Sequence, residues 1–125
     1  MDLNFFKKIR ILDGGMGQEL LARGLISRGT LWSAGALIKK KYHKLIIDTH
    51  LSFINAGADV ILTNTFTTRR IRMKQNKVNY LFKYVNKKAC ELAMKAKKIS
   101  KKKNFIGGSL PAQNNTYEVD KRDKK

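Results

Sequence analysis

Apolar positions along the chain change their spacing several times, and each change marks an element. Residues 5 to 12, FFKKIRIL, close on Asp13 and read as a short buried strand. Gly17 to Gly24 reads as a first helical turn or loop segment, followed by a polar connection through Thr30. From Ala36 to Asn55 the spacing turns helical. Tyr42, Leu45, Ile46, Leu51, Phe53 and Ile54 fall at three- and four-residue steps with lysines opposite, and Gly57 supplies the stop. Residues 59 to 66, DVILTNTF, run apolar without alternation, as in a strand buried on both faces, and end in hydroxyl and amide side chains. Residues 67 to 79 read as a basic loop. A second helix from Tyr80 to Ser100 carries the stripe Leu81, Val85, Ala89, Leu92, Ala96 and Ile99. Asn104 opens a third strand, FIGGSLP, and the tail NNTYEVDKRDKK is polar.

Strand, helix, strand, helix, strand is the order of a parallel βαβαβ unit with right-handed crossovers. Such units build their sites at the carboxyl ends of the strands. Asp13-Gly14-Gly15, Thr63-Asn64-Thr65 and Gly108-Ser109 all fall there.

Composition changes this picture little. The 125 residues suffice for one small domain. The formal charge of +18 invites a nucleic-acid or membrane-surface reading. However, Lys, Asn and Ile, all with AT-rich codons, make up 40 of the 125 residues. The clusters at 39–41, 87–88 and 101–103 also lack the interleaved aromatics of a base-stacking groove. Solvated helix faces are the simpler account. A single cysteine, Cys90, excludes an internal disulfide framework and fits a reducing compartment. Beside the helical stripe, it reads as a small buried hydrophobe. No signal-peptide core or membrane-length apolar run occurs, so the expected address is cytoplasmic.

Three glycines behind Asp13 suit a sharp strand-to-loop turn, or backbone brought close to something small: a phosphate, a metal or an amino acid. GGMG is not GxGxxG and no P-loop lysine follows, which disfavours a nucleotide. An ionised carboxylate at a strand end calls for a cationic partner, an amino group or a metal. His43 and His50 stand seven residues apart on one helix, too far to share a metal, and read as packing or surface residues.

ILDGGMGQEL-x-x-RG, LWSA-x-AL, AGADVILTNTF, ACELA and GSLPAQNNTYEVD, in that order, resemble the homocysteine S-methyltransferase family from about residue 9 to residue 120. The resemblance implies a TIM (β/α)8 barrel that moves a methyl group from a donor such as S-methylmethionine to the homocysteine thiolate, giving methionine. It implies that Asp13 grips the ammonium group. It also implies that backbone amides at Gly14 and Gly15, with Thr63 and Asn64, orient the carboxylate end. Zinc held by three cysteines activates the thiolate in the family, by lowering its pKa. Those cysteines lie in the later half of the barrel, so no zinc is expected to bind this chain alone. Ala112 departs from the family's SLPP.

Three strands against eight make the chain an N-terminal portion of a barrel, 1–120, with a polar tail, 121–125. The expected partners are homocysteine, a small methyl donor and a complementary C-terminal fragment, without specific nucleic acid or membrane. A basic nucleic-acid-binding module and a non-functional relic are the alternatives.

Overall fold

The computed structural model describes residues 3–111. Tyr117, Asp120, Ala112 and the tail 121–125 lie outside them.

Three chain segments run parallel. Strand β1, Val60–Leu62, pairs with β2, Phe105–Gly107, in the register Val60 to Phe105, Ile61 to Ile106 and Leu62 to Gly107. On the other side of β1, Leu12 forms one parallel bridge to Val60. Asp59 and Val60 amides donate to the Ile11 carbonyl, and the Asp13 amide donates to that of Val60. The expected order of three parallel segments therefore holds. The expected first strand does not form at full length: Leu3–Lys7 is a 3-10 turn, and only the end of the run pairs. The reason lies in the neighbours. The run has β1 on one side only, and Ile9 is 97% exposed.

Helix α1, Met16–Ala22, follows the glycine cluster. The expected helix over 36–55 is divided into α2, Gly35–Ile38, and α3, His43–Asn55. Lys39 between them takes an extended conformation, and Lys40–Tyr42 is a 3-10 turn. The expected basic loop over 67–79 contains a helix, α4, Arg70–Gln75, anchored by fully buried Met73. Helix α5, Phe82–Ser100, matches its expected span after a 3-10 turn at Asn79–Leu81.

α1 and α3 close in the same way. Gly24 and Gly57 take positive φ, of 94° and 109°. The next amide reaches back five residues, Leu25 to the Leu20 carbonyl and Ala58 to that of Phe53. These are Schellman caps, which satisfy the last free carbonyls of each helix. α4 closes identically through the Val78 amide and Met73 carbonyl, but with Lys77 at φ 57° where the others use glycine.

The main core packs Leu20, Leu37, Ile46, Met73, Val85 and Ala89 among α1, α2, α3, α4 and α5. A second cluster, Ile54, Ala58, Ile61 and Ala93, with Phe53 and Ile106 against it, seats the helices on the strands. Val85, Ala89, Leu92 and Ala96 of the expected stripe are buried, whereas Ile99 is exposed. Cys90 is exposed too, which corrects its reading as a buried hydrophobe. It follows Ala89 by one helical step, about 100° round the axis, onto the outer edge of α5.

Candidate functional site

The carboxyl ends of the strands form a cavity of about 220 Å³. It is lined by Asp13, Gly14, Gly15, Thr63 and Asn64, so all five residues singled out in the sequence meet there. Trp32, Ser33, Phe66 and Ser109 complete the wall. Trp32 and Ser33 belong to the LWSA segment, which sequence reasoning quoted without assigning a role.

Asp13 ends the first parallel segment, and its carboxylate is divided in use. Oδ2 accepts from the Leu62 amide at 2.8 Å. Oδ1 is buried and has no hydrogen-bond partner among the described residues. Burial raises the pKa of this carboxyl above its ordinary value, against the lowering effect of the Leu62 and Asp13 amides. Leaving one oxygen of a buried carboxylate without a donor costs free energy that a hydrogen-bond donor or cation would offset.

Packing accounts for two of the glycines. A Cβ on Gly14 would stand 2.9 Å from Phe53 Cε1, and one on Gly17 would stand 2.6 Å from Trp32 Cη2. Gly15 has only the Gln18 side chain nearby, at ordinary contact distance, and supplies open backbone beside Asp13. Neither ligand approach nor a sharp turn, the two readings of these glycines in the sequence, anticipates this packing. The aromatic rings that claim Gly14 and Gly17 come from distant positions and leave no local signal.

Asn64 is 4% exposed and its amide bonds at both ends. Its Oδ1 accepts from Ser33 Oγ at 2.9 Å, and its Nδ2 donates to the Ser33 carbonyl at 3.0 Å. Thr67 Oγ1 donates to the Leu31 carbonyl at 2.7 Å. Together they pin the 3-10 segment Gly29–Ala34 across the strand ends. Within that segment Trp32 has φ 46° and ψ −123°, a strained backbone for a side-chain-bearing residue. In this conformation the indole lies against Gly17. Thr63 donates its amide to the Gly107 carbonyl at 2.9 Å and shares a hydroxyl contact of 2.9 Å with Thr65.

The zinc implied by resemblance does not fit the described residues. Among them no three His, Cys, Asp or Glu side chains come together. Cys90 lines a different depression with Met94 and Ile106. Imidazole Nε2 of His43 lies 2.9 Å from the Leu37 carbonyl. His50 is fully buried, and burial lowers its pKa to about 4.

A profile of the homocysteine S-methyltransferase family matches residues 10–124. The homocysteine S-methyltransferase of Escherichia coli is 33% identical over 109 residues, covering 82% of this chain and 33% of that protein. Homocysteine S-methyltransferase 2 of Saccharomyces cerevisiae is 31% identical over 78 residues, covering 56% of this chain and 24% of the yeast protein. The crystal structure of the homocysteine methyltransferase MmuM from Escherichia coli, in metallated form, superposes with a TM-score of 0.72 at 28% identity, over 87% of this chain and 40% of that one. The chain spans a third or less of the length of these two curated relatives.

Proposed function

The chain belongs to the homocysteine S-methyltransferase family, and from that premise we propose that its strand-end cavity holds homocysteine for methyl transfer. The observation that carries this reading is the buried, unpartnered Oδ1 of Asp13 beside the open backbone of Gly15. An α-ammonium group donating to Oδ1 offsets the cost of that buried charge. The amides at Gly14 and Gly15 and the Thr63 hydroxyl receive the carboxylate end. Asn64, which holds Ser33, lines the same wall beside them.

The reaction is displacement at carbon. The homocysteine thiolate forms a bond to the donor's methyl carbon, and the methyl–sulfur bond of a sulfonium donor breaks with its electron pair returning to that sulfur. The residues assigned here bind and orient the nucleophile. We assign activation of the thiol to a part of the protein beyond residues 3–111, as the family resemblance implies.

The proposal includes a complementary segment that completes a (β/α)8 barrel. Ile9, Ile11 and Leu12 form an exposed apolar edge beside β1, and an unpaired edge of this kind is a template for a further strand. Among the described residues no helix is long and apolar enough to cross a membrane. We assign the lysines to solvated surface and the protein to the cytoplasm, with the single Cys90 in support.

The test mixes the chain with the portion of the Escherichia coli relative that lies beyond the matched region. Supplied with homocysteine, S-methylmethionine and zinc, the mixture is expected to form methionine while neither piece does so alone. Failure of a mixture that forms a stoichiometric, folded complex would overturn the proposed activity.

A further inference from the structure

A second cavity, of about 200 Å³, opens beside the first and shares Ser109 with it. Thr65 forms the partition. Its hydroxyl contacts Thr63 Oγ1 at 2.9 Å on one side and donates to the Ser109 carbonyl at 3.4 Å on the other. The chemistry of the two cavities is opposite. The first has Asp13 in its wall, whereas the second has Arg69 and Arg70 and no carboxylate among its described lining residues.

Both arginines are positioned. Arg69 is 4% exposed, and burial, with the like charge of Arg72, lowers its pKa. Arg70 is exposed at the mouth, where its guanidinium lies 4.1 Å from the centre of the Phe82 ring. Stacking of this kind fixes the plane of the fork and leaves its N–H edge available. The floor is rigid: Thr68 Oγ1 donates to Asn86 Oδ1 at 2.8 Å, and Asn86 Nδ2 donates to the Phe82 carbonyl at 2.8 Å. A planar guanidinium matches a small oxyanion, and a carboxylate best of all, because its two oxygens fit the fork. The volume of about 200 Å³ admits a carboxylate with a few carbons.

We propose that this second cavity is the subsite for the carboxylate of the methyl donor, with Arg70 at its mouth as the contacting cation. The inference rests on the methyl-transfer reading above and deepens it. Two zwitterions then lie side by side, homocysteine held by its ammonium at Asp13 and the donor by its carboxylate at Arg70. Donors without a carboxylate are disfavoured by the missing charge-assisted bonds.

Amide and arginine side-chain NMR spectra of the labelled chain, recorded at constant ionic strength, test this. The probes are S-methylmethionine, its carboxamide, inorganic phosphate and L-homocysteine. S-methylmethionine is expected to shift Thr68, Arg70 and Ser109 saturably, and the carboxamide to bind about tenfold more weakly or worse. Arg70→Ala, at an exposed position, is expected to weaken S-methylmethionine about tenfold and leave homocysteine shifts at Asp13 and Gly15 in place. Equal binding of donor and carboxamide would overturn the inference. So would phosphate shifting these residues where the donor does not, or homocysteine saturating them. Homocysteine shifts at Asp13 with no donor effect would sink this inference alone. Absence of homocysteine shifts, with the donor still bound, would instead sink the reading of the first cavity.

Discussion

Asn64 and Ser33 hold one another through two hydrogen bonds, hydroxyl to amide oxygen at 2.9 Å and amide nitrogen to carbonyl at 3.0 Å. This pair ties the end of β1 to a segment 31 residues earlier and so sets one wall of the cavity. Ser33 is almost wholly buried, so loss of its partner strands a hydroxyl and a carbonyl. Asn64→Ala is expected to cost about 1–3 kcal/mol of stability. It is also expected to move Trp32, the single tryptophan. Denaturant titration with tryptophan emission reads both effects. An unchanged midpoint and unchanged emission would show that the pair positions nothing.

Lys77 closes α4 with φ 57°, where α1 and α3 use Gly24 and Gly57. A side chain in the left-handed region is strained, and this one is exposed. Lys77→Gly is therefore expected to stabilise the chain by about 0.5–1 kcal/mol, the strain relieved outweighing the entropy of the added glycine. A lower melting midpoint would mean that the lysine side chain makes an offsetting contribution.

His50 couples stability to acid. Its folded-state pKa, about 4, lies below the ordinary value of 6.5, because burial disfavours the imidazolium. The unfolded chain therefore binds a proton that the folded chain refuses. Stability is full above pH 6.5 and falls as the pH drops toward 4, by roughly 3 kcal/mol. His50→Leu is expected to flatten that slope in chemical denaturation at several pH values. A slope identical to the parent's would assign acid sensitivity elsewhere.

Asp13 has the opposite sign. Its pKa is raised by burial, so its contribution is most favourable in acid and is lost as the pH rises through the folded value. Asp13→Asn keeps an acceptor for the Leu62 amide and removes the buried charge. The variant is expected to be more stable than the parent at neutral pH without ligand. A destabilised Asp13→Asn would show that the carboxylate serves the fold before it serves any ligand.

The order of elements and the meeting point of Asp13, Thr63 and Asn64 were legible because apolar runs and their polar ends are local signals. What was hidden depends on contacts between distant positions. Phe5 to Leu12 looks like a buried strand, yet its burial needs neighbours on both sides and β1 covers only one. α4 is short and strongly basic, so its one buried anchor, Met73, gives no periodicity to detect. Gly14 and Gly17 answer to Phe53 and Trp32, which no local pattern links to them. The tie between Asn64 and Ser33 likewise joins positions 31 residues apart.

The central claim is that the cavity at the strand ends binds homocysteine through Asp13. Calorimetric titration of L-homocysteine into the parent chain and into Asp13→Asn at neutral pH, with homocysteine's desamino analogue as control, tests it most directly. The account predicts saturable binding to the parent, weakened by roughly 1.5–3 kcal/mol in Asp13→Asn. It also predicts that the analogue, lacking the ammonium group, binds parent and variant with equal weakness. Homocysteine binding that is as tight to Asp13→Asn as to the parent would contradict it.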